Sequence, residues 1–510
     1  MSLSRFIPDK YQKAIREAFT NTEHHLFINA RAGSGKTTTL TYLMNYIPKE
    51  ASAVSMAFSK RVQMELQNRI PKNVGSMTLH SYGFTCLRSN GIEKLEKWKV
   101  GKIIRDLGYK KDVTQALKDL TSLQKNTLNS DINYLIDTYH IDLPKKTSIE
   151  QVGDWVKKIL EEDVRLAREE GICDYDDQLW LPIHLDLNLS VYDVIFVDET
   201  QDLNPTQIRL IQQATRNNGR VICVGDKNQS CYQFRGADPQ SIETLLAYLT
   251  KTPRGVQSLP LSISYRCSRK VIEAAQDLVP GIEAAPNAPE GSVTRKKVEQ
   301  LKHAIMKMRP AHLQLGENKM RKFMILSRTN APLMPWYLLL QRLKLPVSFR
   351  SNLMASQLQE LLARCSNYRK STILETCQNL RSHADQVMAL MKDGLARENF
   401  SDKIHTLIDF VGNVPQTAST LEAHYQELDT LLEERFAATD IDASHDTILL
   451  ATVHCAKGLE AENVFLIRPD LLPHPSAQKP MEKVQEDNIK YIAITRAAKH
   501  LYFIDGKDEV

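Results

Sequence analysis

Residues 26–37 read Leu26-Phe27-Ile28-Asn29-Ala30-Arg31-Ala32-Gly33-Ser34-Gly35-Lys36-Thr37. The first five residues form a short, mostly apolar run, which is typical of a strand buried on both faces of a parallel sheet. Gly33 and Gly35 allow the backbone to turn sharply before a helix, so that free amide groups can point towards an anion. The stretch therefore predicts an α/β fold with a phosphate-binding loop between a strand and a helix.

Seven further runs of strand length follow along the chain, each mostly apolar and each followed by polar residues. They are Ala53–Phe58, Val191–Val197, Arg220–Val224, Phe323–Leu326, Ile448–Val453, Val464–Ile467 and His500–Ile504. Parallel strands carry their functional side chains at their carboxyl ends. The runs therefore predict parallel sheets in both halves of the chain, with functional residues following the strands.

The bulk composition is that of a folded protein large enough for several domains. Of the 510 residues, 42% are hydrophobic, and 66 basic against 61 acidic residues give a formal net charge of +5. This mildly basic balance permits a polyanionic partner without requiring one. The sequence shows neither a leader-like start nor a membrane-length apolar run, so we expect a cytoplasmic protein, or a nuclear one in a eukaryote, without a membrane partner.

The eight cysteines are scattered, and none forms a C-x-x-C pair or lies at zinc spacing from histidines. They occupy positions 86, 173, 223, 231, 267, 365, 377 and 455. We expect reduced thiols that serve mainly in packing.

The loop fits the nucleotide-binding pattern G-x-x-x-x-G-K-[ST], with Ala30 in the first position. In this pattern Lys36 reaches the β- and γ-phosphates and the Thr37 hydroxyl binds Mg²⁺. ATP and Mg²⁺ are therefore the expected cofactors. The residues expected to bind the nucleotide here are Ala32, Gly33, Ser34, Gly35, Lys36, Thr37 and Thr38.

A second strand, Val194–Val197, delivers the adjacent carboxylates of Asp198 and Glu199. Asp198 suits the Mg²⁺ ion, whereas Glu199 can orient and deprotonate an attacking water. Taken alone, two acidic residues after a strand also fit a surface turn. Together with the lysine loop they indicate ATP hydrolysis.

From this point the order of motifs resembles that of superfamily 1 helicases of the UvrD/Rep/PcrA type, from Gln12 nearly to the end of the chain. The segments that carry the resemblance are Pro8–Gln12, Thr78–Ser81, Gly225–Ala237, Ser264–Cys267, Thr452–Glu460 and Tyr491–Ala497. Ala57-Phe58-Ser59-Lys60 is closer to the form found in F-box-type DNA helicases.

The resemblance implies roles for residues that would be unremarkable alone. For the nucleotide, Gln12 and Tyr265 contact adenine, Glu460 holds the sugar and Gln229 senses the γ-phosphate. Arg266 and Arg496 act as arginine fingers from the second motor domain, so that ATP can bridge the two domains. The residues implied to contact DNA are Phe58, His80, Tyr232, Phe234, Arg235 and His454.

The implied architecture is two RecA-like parallel-sheet motor domains, each with a helical insertion. We expect the first motor domain over residues 1–91 and 173–255, with its insertion over 92–172. The second spans 256–350 and 441–510, with a reduced insertion over 351–440. The short second insertion favours translocation over processive strand separation.

The expected function is an ATP-driven 3′-to-5′ translocase or helicase acting on single-stranded DNA and single-strand/duplex junctions, in repair, recombination or phage defence. The polarity is implied by the resemblance alone. An alternative is a DNA-sensing ATPase subunit that gates a partner nuclease or repair protein, and a third is a scaffold that has lost hydrolysis. We expect no nuclease cluster of carboxylates with a lysine outside the motor motifs, and a structural role for Asp174, Asp176 and Asp177.

Overall fold

Strands and helices alternate along both halves of the chain. The computed structural model describes residues 6–57, 60–67, 69–139, 141–144, 147–231, 240–313, 320–350, 355–364, 370–391, 394–413, 423, 425–426, 428–430, 447–475 and 477–506. The strands are β1 His25–Ala30, β2 Ala53–Ala57, β3 Val74–Thr78, β4 Lys94–Leu95, β5 Ile172–Cys173, β6 Tyr192–Val197, β7 Thr215–Gly225, β8 Val256–Leu261, β9 Ile263–Ser264, β10 Glu283–Ala284, β11 Ser292–Lys297, β12 Arg321–Ser327, β13 Val347–Arg350, β14 Ile448–Thr452, β15 Ala461–Ile467 and β16 Ala497–Asp505.

The helices of the first half are α1 Lys10–Asn21, α2 Lys36–Met44, α3 Lys60–Gln67, α4 Leu79–Ser89, α5 Lys99–Asp106, α6 Thr114–Thr127, α7 Ile132–Tyr139, α8 Ile149–Glu170, α9 Asp177–His184, α10 Pro205–Ala214 and α11 Ser241–Thr250. Those of the second half are α12 Arg269–Gln276, α13 Val298–Met306, α14 Met334–Arg342, α15 Ala355–Arg364, α16 Ile373–Leu390, α17 Gly394–Asn413 and α18 Pro480–Ile494.

The first six-stranded sheet has the order β3-β2-β6-β7-β1-β8, and all of its pairings are parallel. Its inner strands are apolar and buried because helices cover both faces of such a sheet. Leu26, Ile28 and Phe196, for example, are buried in one core cluster on the sheet. The loops that follow β1, β6 and β7 all leave from the carboxyl edge of the sheet, where ligand sites of open α/β sheets lie.

The second six-stranded sheet has the order β11-β16-β15-β12-β14-β13 and is also parallel throughout. Two six-stranded parallel sheets covered by helices are the cores of two RecA-like domains. The predicted fold class is thereby confirmed.

The chain divides into two compact units, Met1–Ile263 and Ser264–Val510. The expected start of the second motor domain at residue 256 differs from the structure, because β8 pairs with β1 along its whole length. Pro260 fits an edge strand, which needs hydrogen bonds on one side only. Residues 256–261 therefore complete the first sheet.

Between β4 and β5 the first unit carries four helices, α5 to α8, with a hydrophobic core of their own. Leu117, Leu120, Val156 and Ile159 are fully buried in it. The second unit carries α15 to α17 between β13 and β14. In α15 the side chains of Leu358, Leu361 and Leu362 are buried.

The cysteines within the described residues are free thiols, and all but Cys455 are buried. Cys365 lies outside the described residues. No helix of the part that the structure describes is both long and apolar enough to cross a membrane.

Candidate functional site

The loop between β1 and α2 has the backbone of an anion-binding turn. Gly33 and Gly35 adopt left-handed conformations with φ of 72° and 78°, which glycine adopts without steric cost. Gly35 is the residue before α2 and has no side chain to cap that helix. The first amide groups of α2 therefore remain available to a phosphate, and the helix dipole favours negative charge there.

The two sequence motifs meet at the carboxyl edge of the first sheet. The ammonium of Lys36 lies 2.5 Å from a carboxylate oxygen of Glu199, and the Thr37 hydroxyl donates to Asp198 over 2.9 Å. The lysine and hydroxyl come from the start of α2, and both carboxylates follow β6. The arrangement supplies a cation for phosphates beside oxygen ligands for a hard divalent cation.

The surroundings of Asp198 shift the pKa of its carboxyl group. Burial and the neighbouring charge of Glu199 raise the pKa of Asp198 to about 6, although Lys36 opposes the shift. A divalent cation bound at Asp198 and Thr37 would stabilise the ionised carboxylate. The donor set thus fits Mg²⁺.

Glu199 itself has an unusual backbone, with φ of 51° in the left-handed region. For a non-glycine residue this conformation costs energy, and such strain is concentrated at functional sites. Its amide nevertheless donates to Asp198 over 2.8 Å. The turn directs the two adjacent carboxylates differently, towards Thr37 and towards Lys36.

Two glutamines expected to contact the nucleotide lie against this site. Gln12 forms a capping box with Asp9 at the start of α1, and its amide donates to Thr39 of α2 over 3.1 Å. Gln229 donates to Asp226 over 2.6 Å at the end of β7. Both side chains are buried, and their contacts with nucleotide remain predictions.

The expected arginine fingers both lie in the second unit, in different environments. Arg266 pairs with Glu460, the residue expected to hold the sugar, and also donates to the backbone oxygen of Thr495. Arg496 is only 1% exposed and donates to the backbone oxygens of Leu459 and Ile492. Burial, and then the nearby charge of Arg266, lower the pKa of Arg496 to about 10.

Of the remaining residues expected to contact nucleotide or DNA, the structure describes three. Tyr265 is 52% exposed, as a residue that stacks on a base must be. His80 is half-buried in the first turn of α4, where burial lowers its pKa. His454 follows β14 and is partly buried. Phe58, Tyr232, Phe234 and Arg235 lie outside the described residues.

The structure also shows a charge cluster that the sequence did not reveal. The carboxylates of Asp163, Asp174 and Asp177 lie within 4.8 Å of one another, and Lys99 and Lys125 are in ion-pair contact with them at 2.6 to 3.4 Å. The cluster includes Asp174 and Asp177, for which the sequence leads us to expect a structural role, and joins them to Asp163 and two lysines. All five residues are buried, and the two ammonium groups already supply the cations, so the cluster is structural.

Sequence reasoning missed both lysines and one glutamine. Lys99 and Lys125 are separated from Asp177 by 78 and 52 residues along the chain, so local patterns cannot link them. Gln201 donates to Glu199 over 2.6 Å and accepts from the amide of Asp226 over 2.9 Å. The signal for Gln201 was its place two residues after Glu199, in the polar segment that follows β6.

Family models match both units of the chain. A UvrD/REP helicase N-terminal domain matches residues 11–248, and a UvrD-like helicase C-terminal domain matches residues 447–504. The chain belongs to the UvrD-like helicase family. The first match includes the Lys36 loop, Asp198 and Glu199, and the second includes Glu460 and Arg496.

Relatives of this UvrD-like helicase align over nearly its whole length. The ATP-dependent DNA helicase PcrA of Staphylococcus aureus is 25% identical, covering 95% of this chain and 82% of the relative. F-box DNA helicase protein 1 of Schizosaccharomyces pombe is 25% identical, covering 97% and 57%. An arterivirus nonstructural protein 10 helicase structure is 12% identical with a TM-score of 0.33, covering 97% of this chain and 63% of that one. A score that low does not establish a shared fold.

Proposed function

We propose that this UvrD-like helicase hydrolyses ATP to move along single-stranded DNA in the 3′-to-5′ direction and to open duplex at single-strand/duplex junctions. The observation that carries the proposal is the pairing of Lys36 with Glu199 and of Thr37 with Asp198 at one edge of the first sheet. The names of two relatives, both DNA helicases, support the choice of substrate. The polarity rests on the family resemblance alone.

The site residues of the first unit have distinct roles in the proposed hydrolysis. Lys36 leaves Glu199 for the β- and γ-phosphates, and Thr37 and Asp198 hold Mg²⁺, which when bound neutralises phosphate charge. Glu199 then accepts a proton from the attacking water at its carboxylate. Gln229 senses the γ-phosphate from the end of β7.

The second unit is proposed to contribute Arg266 and Arg496 as cations for the transition state, and Tyr265 and Glu460 as adenine and sugar contacts. Two cations that meet charge developing on the transferred phosphoryl group accelerate the chemical step more than they strengthen nucleotide binding. In this proposal Gln12 reads the adenine from the first unit.

The strand contacts are proposed from the motifs. Aromatic side chains stack on unpaired bases and cations neutralise phosphates, with little dependence on base sequence. Assigned to this role are Phe58, His80, Tyr232, Phe234, Arg235 and His454. We further propose that residues 92–172 and 351–440 are accessory helical insertions of the two motor domains, and that the motor acts in repair, recombination or phage defence inside the cell.

The test combines hydrolysis with strand displacement. Steady-state ATP hydrolysis is measured with and without a single-stranded oligonucleotide, followed by displacement from duplexes bearing a 3′ or a 5′ tail. Stimulation by the strand and displacement from 3′ tails only are expected. Absence of stimulation would remove the motor assignment, and displacement from 5′ tails only would reverse the polarity.

The same measurements address the alternative of a subunit that gates a nuclease or repair partner. The short interval between Arg328 and Thr452 favours this alternative, because the accessory insertion there is small. Strong stimulation by single strands without displacement from either tail would select it.

A further inference from the structure

Gln201 lies between the two strand ends that carry the nucleotide site. It sits in a short 3₁₀ turn, Thr200–Asp202, directly after β6 and Glu199. Its side chain points inward, since the residue is 1% exposed. A buried amide needs partners for both its donor and its acceptor; the nearest two are Glu199 and Asp226, and the nitrogen also donates to Asp202 over 3.4 Å.

The amide nitrogen of Gln201 donates to Oε2 of Glu199 over 2.6 Å. Lys36 contacts the same oxygen at 2.5 Å. Two donors that converge on one oxygen fix the rotation of the carboxylate about its last bond. A hydrogen bond to a charged acceptor is also stronger than one between neutral groups.

The amide oxygen of Gln201 accepts from the backbone amide of Asp226 over 2.9 Å, just after β7. Gly225 makes this contact possible, because a Cβ there would lie only 2.9 Å from the same oxygen. The carboxylate of Asp226 in turn accepts a hydrogen bond from the side-chain amide of Gln229 over 2.6 Å. A continuous chain of hydrogen bonds therefore runs from Glu199 through Gln201 to the Asp226–Gln229 segment.

We propose that Gln201 is a positioning residue that holds the Glu199 carboxylate in line for hydrolysis and ties its orientation to the Asp226–Gln229 segment. This inference rests on the proposed function of Glu199 as the base. When Lys36 turns to the phosphates of ATP, its bond to Oε2 is lost, whereas the bond from Gln201 does not depend on the phosphates. Gln201 then supports the carboxylate at the moment of proton transfer.

The backbone of Glu199 makes such support necessary. Its left-handed conformation, with φ of 51°, is strained for a residue with a side chain. The turn can relax towards an ordinary conformation if its hydrogen bonds are removed. Gln201 anchors the turn from the side of β7, and the Thr200 hydroxyl adds a bond of 2.9 Å to the Val224 oxygen.

The test begins with Gln201→Met, which keeps the length of the side chain and removes both polar atoms. We expect kcat for ATP hydrolysis to fall by roughly 10- to 100-fold, because small misplacements of catalytic groups have effects of that order. The dissociation constant for ATP and the affinity for a single-stranded oligonucleotide should stay within about twofold, since neither site loses a contact.

Gln207→Met is the matched control. Gln207 is also a buried glutamine of this region, but its side chain accepts from the amide of Asn204 at the start of α10 and does not touch Glu199. The control should lower the melting temperature and leave kcat near the wild-type value. Equal losses of kcat in both variants would overturn the inference. Should Gln201→Met fail to fold, Gln201→Asn, which keeps an amide too short to span both partners, takes its place.

A double variant separates a positioning role from a general structural one. If Gln201 acts through Glu199, then adding Gln201→Met to Glu199→Gln should cost little further activity, because coupled residues are not additive. Additive losses would overturn the inference. If Glu199→Gln alone keeps its turnover, the base assignment in the proposed function fails instead, which is a different outcome.

Discussion

At the scale of single side chains, the contact between Lys36 and Glu199 joins two residues whose proposed roles can be separated by substitution. Glu199→Gln removes the proton acceptor and keeps the shape, so ATP and DNA binding should persist while turnover falls by roughly 10²-fold or more. Lys36→Ala removes a phosphate contact and should weaken nucleotide binding itself. Titration with a fluorescent ATP analogue beside steady-state turnover distinguishes the two. Near-normal turnover of Glu199→Gln would take the base role from this residue.

The two arginines of the second unit should respond differently to truncation. Arg266 pairs with a Glu460 side chain that is 39% exposed, and partly exposed pairs contribute little stability. Arg266→Ala should therefore reduce DNA-stimulated turnover by about 10²-fold with little change in melting temperature. Arg496→Ala should also destabilise the fold by about 1–3 kcal/mol, because the backbone oxygens of Leu459 and Ile492 each lose a charged donor that is itself buried.

Turnover, nucleotide affinity and thermal melting of both variants check this contrast. An Arg496→Ala protein that melts at the wild-type temperature would show that the guanidinium leaves its buried position at little cost. Equal losses of binding and turnover in Arg266→Ala would contradict its role in the transition state.

Residue patterns predict a contact when both partners belong to motifs that can be recognised in the sequence. The convergence of the Lys36 loop with Asp198 and Glu199 follows from two motifs at the ends of parallel strands, and the structure brings them within hydrogen-bonding distance. The bridge made by Gln201 needs the Asp226 amide, 25 residues away. No spacing rule contains that information, because it depends on which strands are neighbours in the sheet.

At the scale of elements, the strands recognised in the sequence are the interior strands of the two sheets. The edge strands β3, β8, β11 and β13 escaped recognition. Interior strands are buried on both faces and read as apolar runs. Edge strands have one neighbour and tolerate polar residues and proline, as in Ser292-Val293-Thr294-Arg295-Lys296-Lys297 and at Pro260.

The contact between α4 and α9 depends on the absence of a side chain at Gly83. A Cβ at this position would lie 1.8 Å from the backbone oxygen of Gln178. Gly83→Ala should therefore force the helices apart and destabilise the first unit by several kcal/mol, on the order of the largest single-residue effects. On α8, a Cβ at Gly153 would meet only Ile132 at 3.6 Å. Gly153→Ala should stabilise by about 0.5–1 kcal/mol through helix propensity.

Chemical denaturation measures the free energy of unfolding of both variants, which should fall for Gly83→Ala and rise for Gly153→Ala. A neutral Gly83→Ala substitution would show that the two helices have room to separate.

The charge cluster among α5, α6, α8 and the start of α9 should give the fold a pH dependence. Burial and the charges of Asp177 and Asp174 raise the pKa of Asp163 to about 7, against the pull of Lys125 and Lys99. An unfolded aspartate has a pKa near 3.9, so the folded state binds more protons between these values. The Asp163 contribution to stability is therefore present at low pH and is lost as pH rises from about 4 to about 7.

Asp163→Asn keeps a neutral group in place and should reduce that loss, so its free energy of unfolding should fall less than that of the wild type between pH 5 and pH 7. Asp177→Asn leaves two buried ammonium groups short of a carboxylate and should destabilise by about 3–5 kcal/mol at neutral pH. Urea unfolding at several pH values checks both. Parallel pH curves for wild type and Asp163→Asn would show that Asp163 is not the titrating group.

At the scale of the whole molecule, each unit has hydrophobic cores of its own. The cores of the first unit lie on its sheet and among α5 to α8, and that of the second includes Trp336, Tyr337 and Leu450. Units with separate cores unfold as separate cooperative blocks. We expect calorimetry to resolve more than one transition, with Asp177→Asn lowering only the transition of the first unit. A single transition that moves as a whole would contradict this.

Because the thiols are buried, their rate of alkylation can measure how often each unit opens. Cys223 lies inside β7 of the first unit, where burial raises its pKa to about 12, and Cys377 is buried in α16 of the second. A thiol that is both covered and protonated reacts with an alkylating reagent only while its surroundings are open. Mass spectrometry of the labelled cysteines over time would therefore record, in one sample and without any engineered probe, how often each unit opens around its buried thiol.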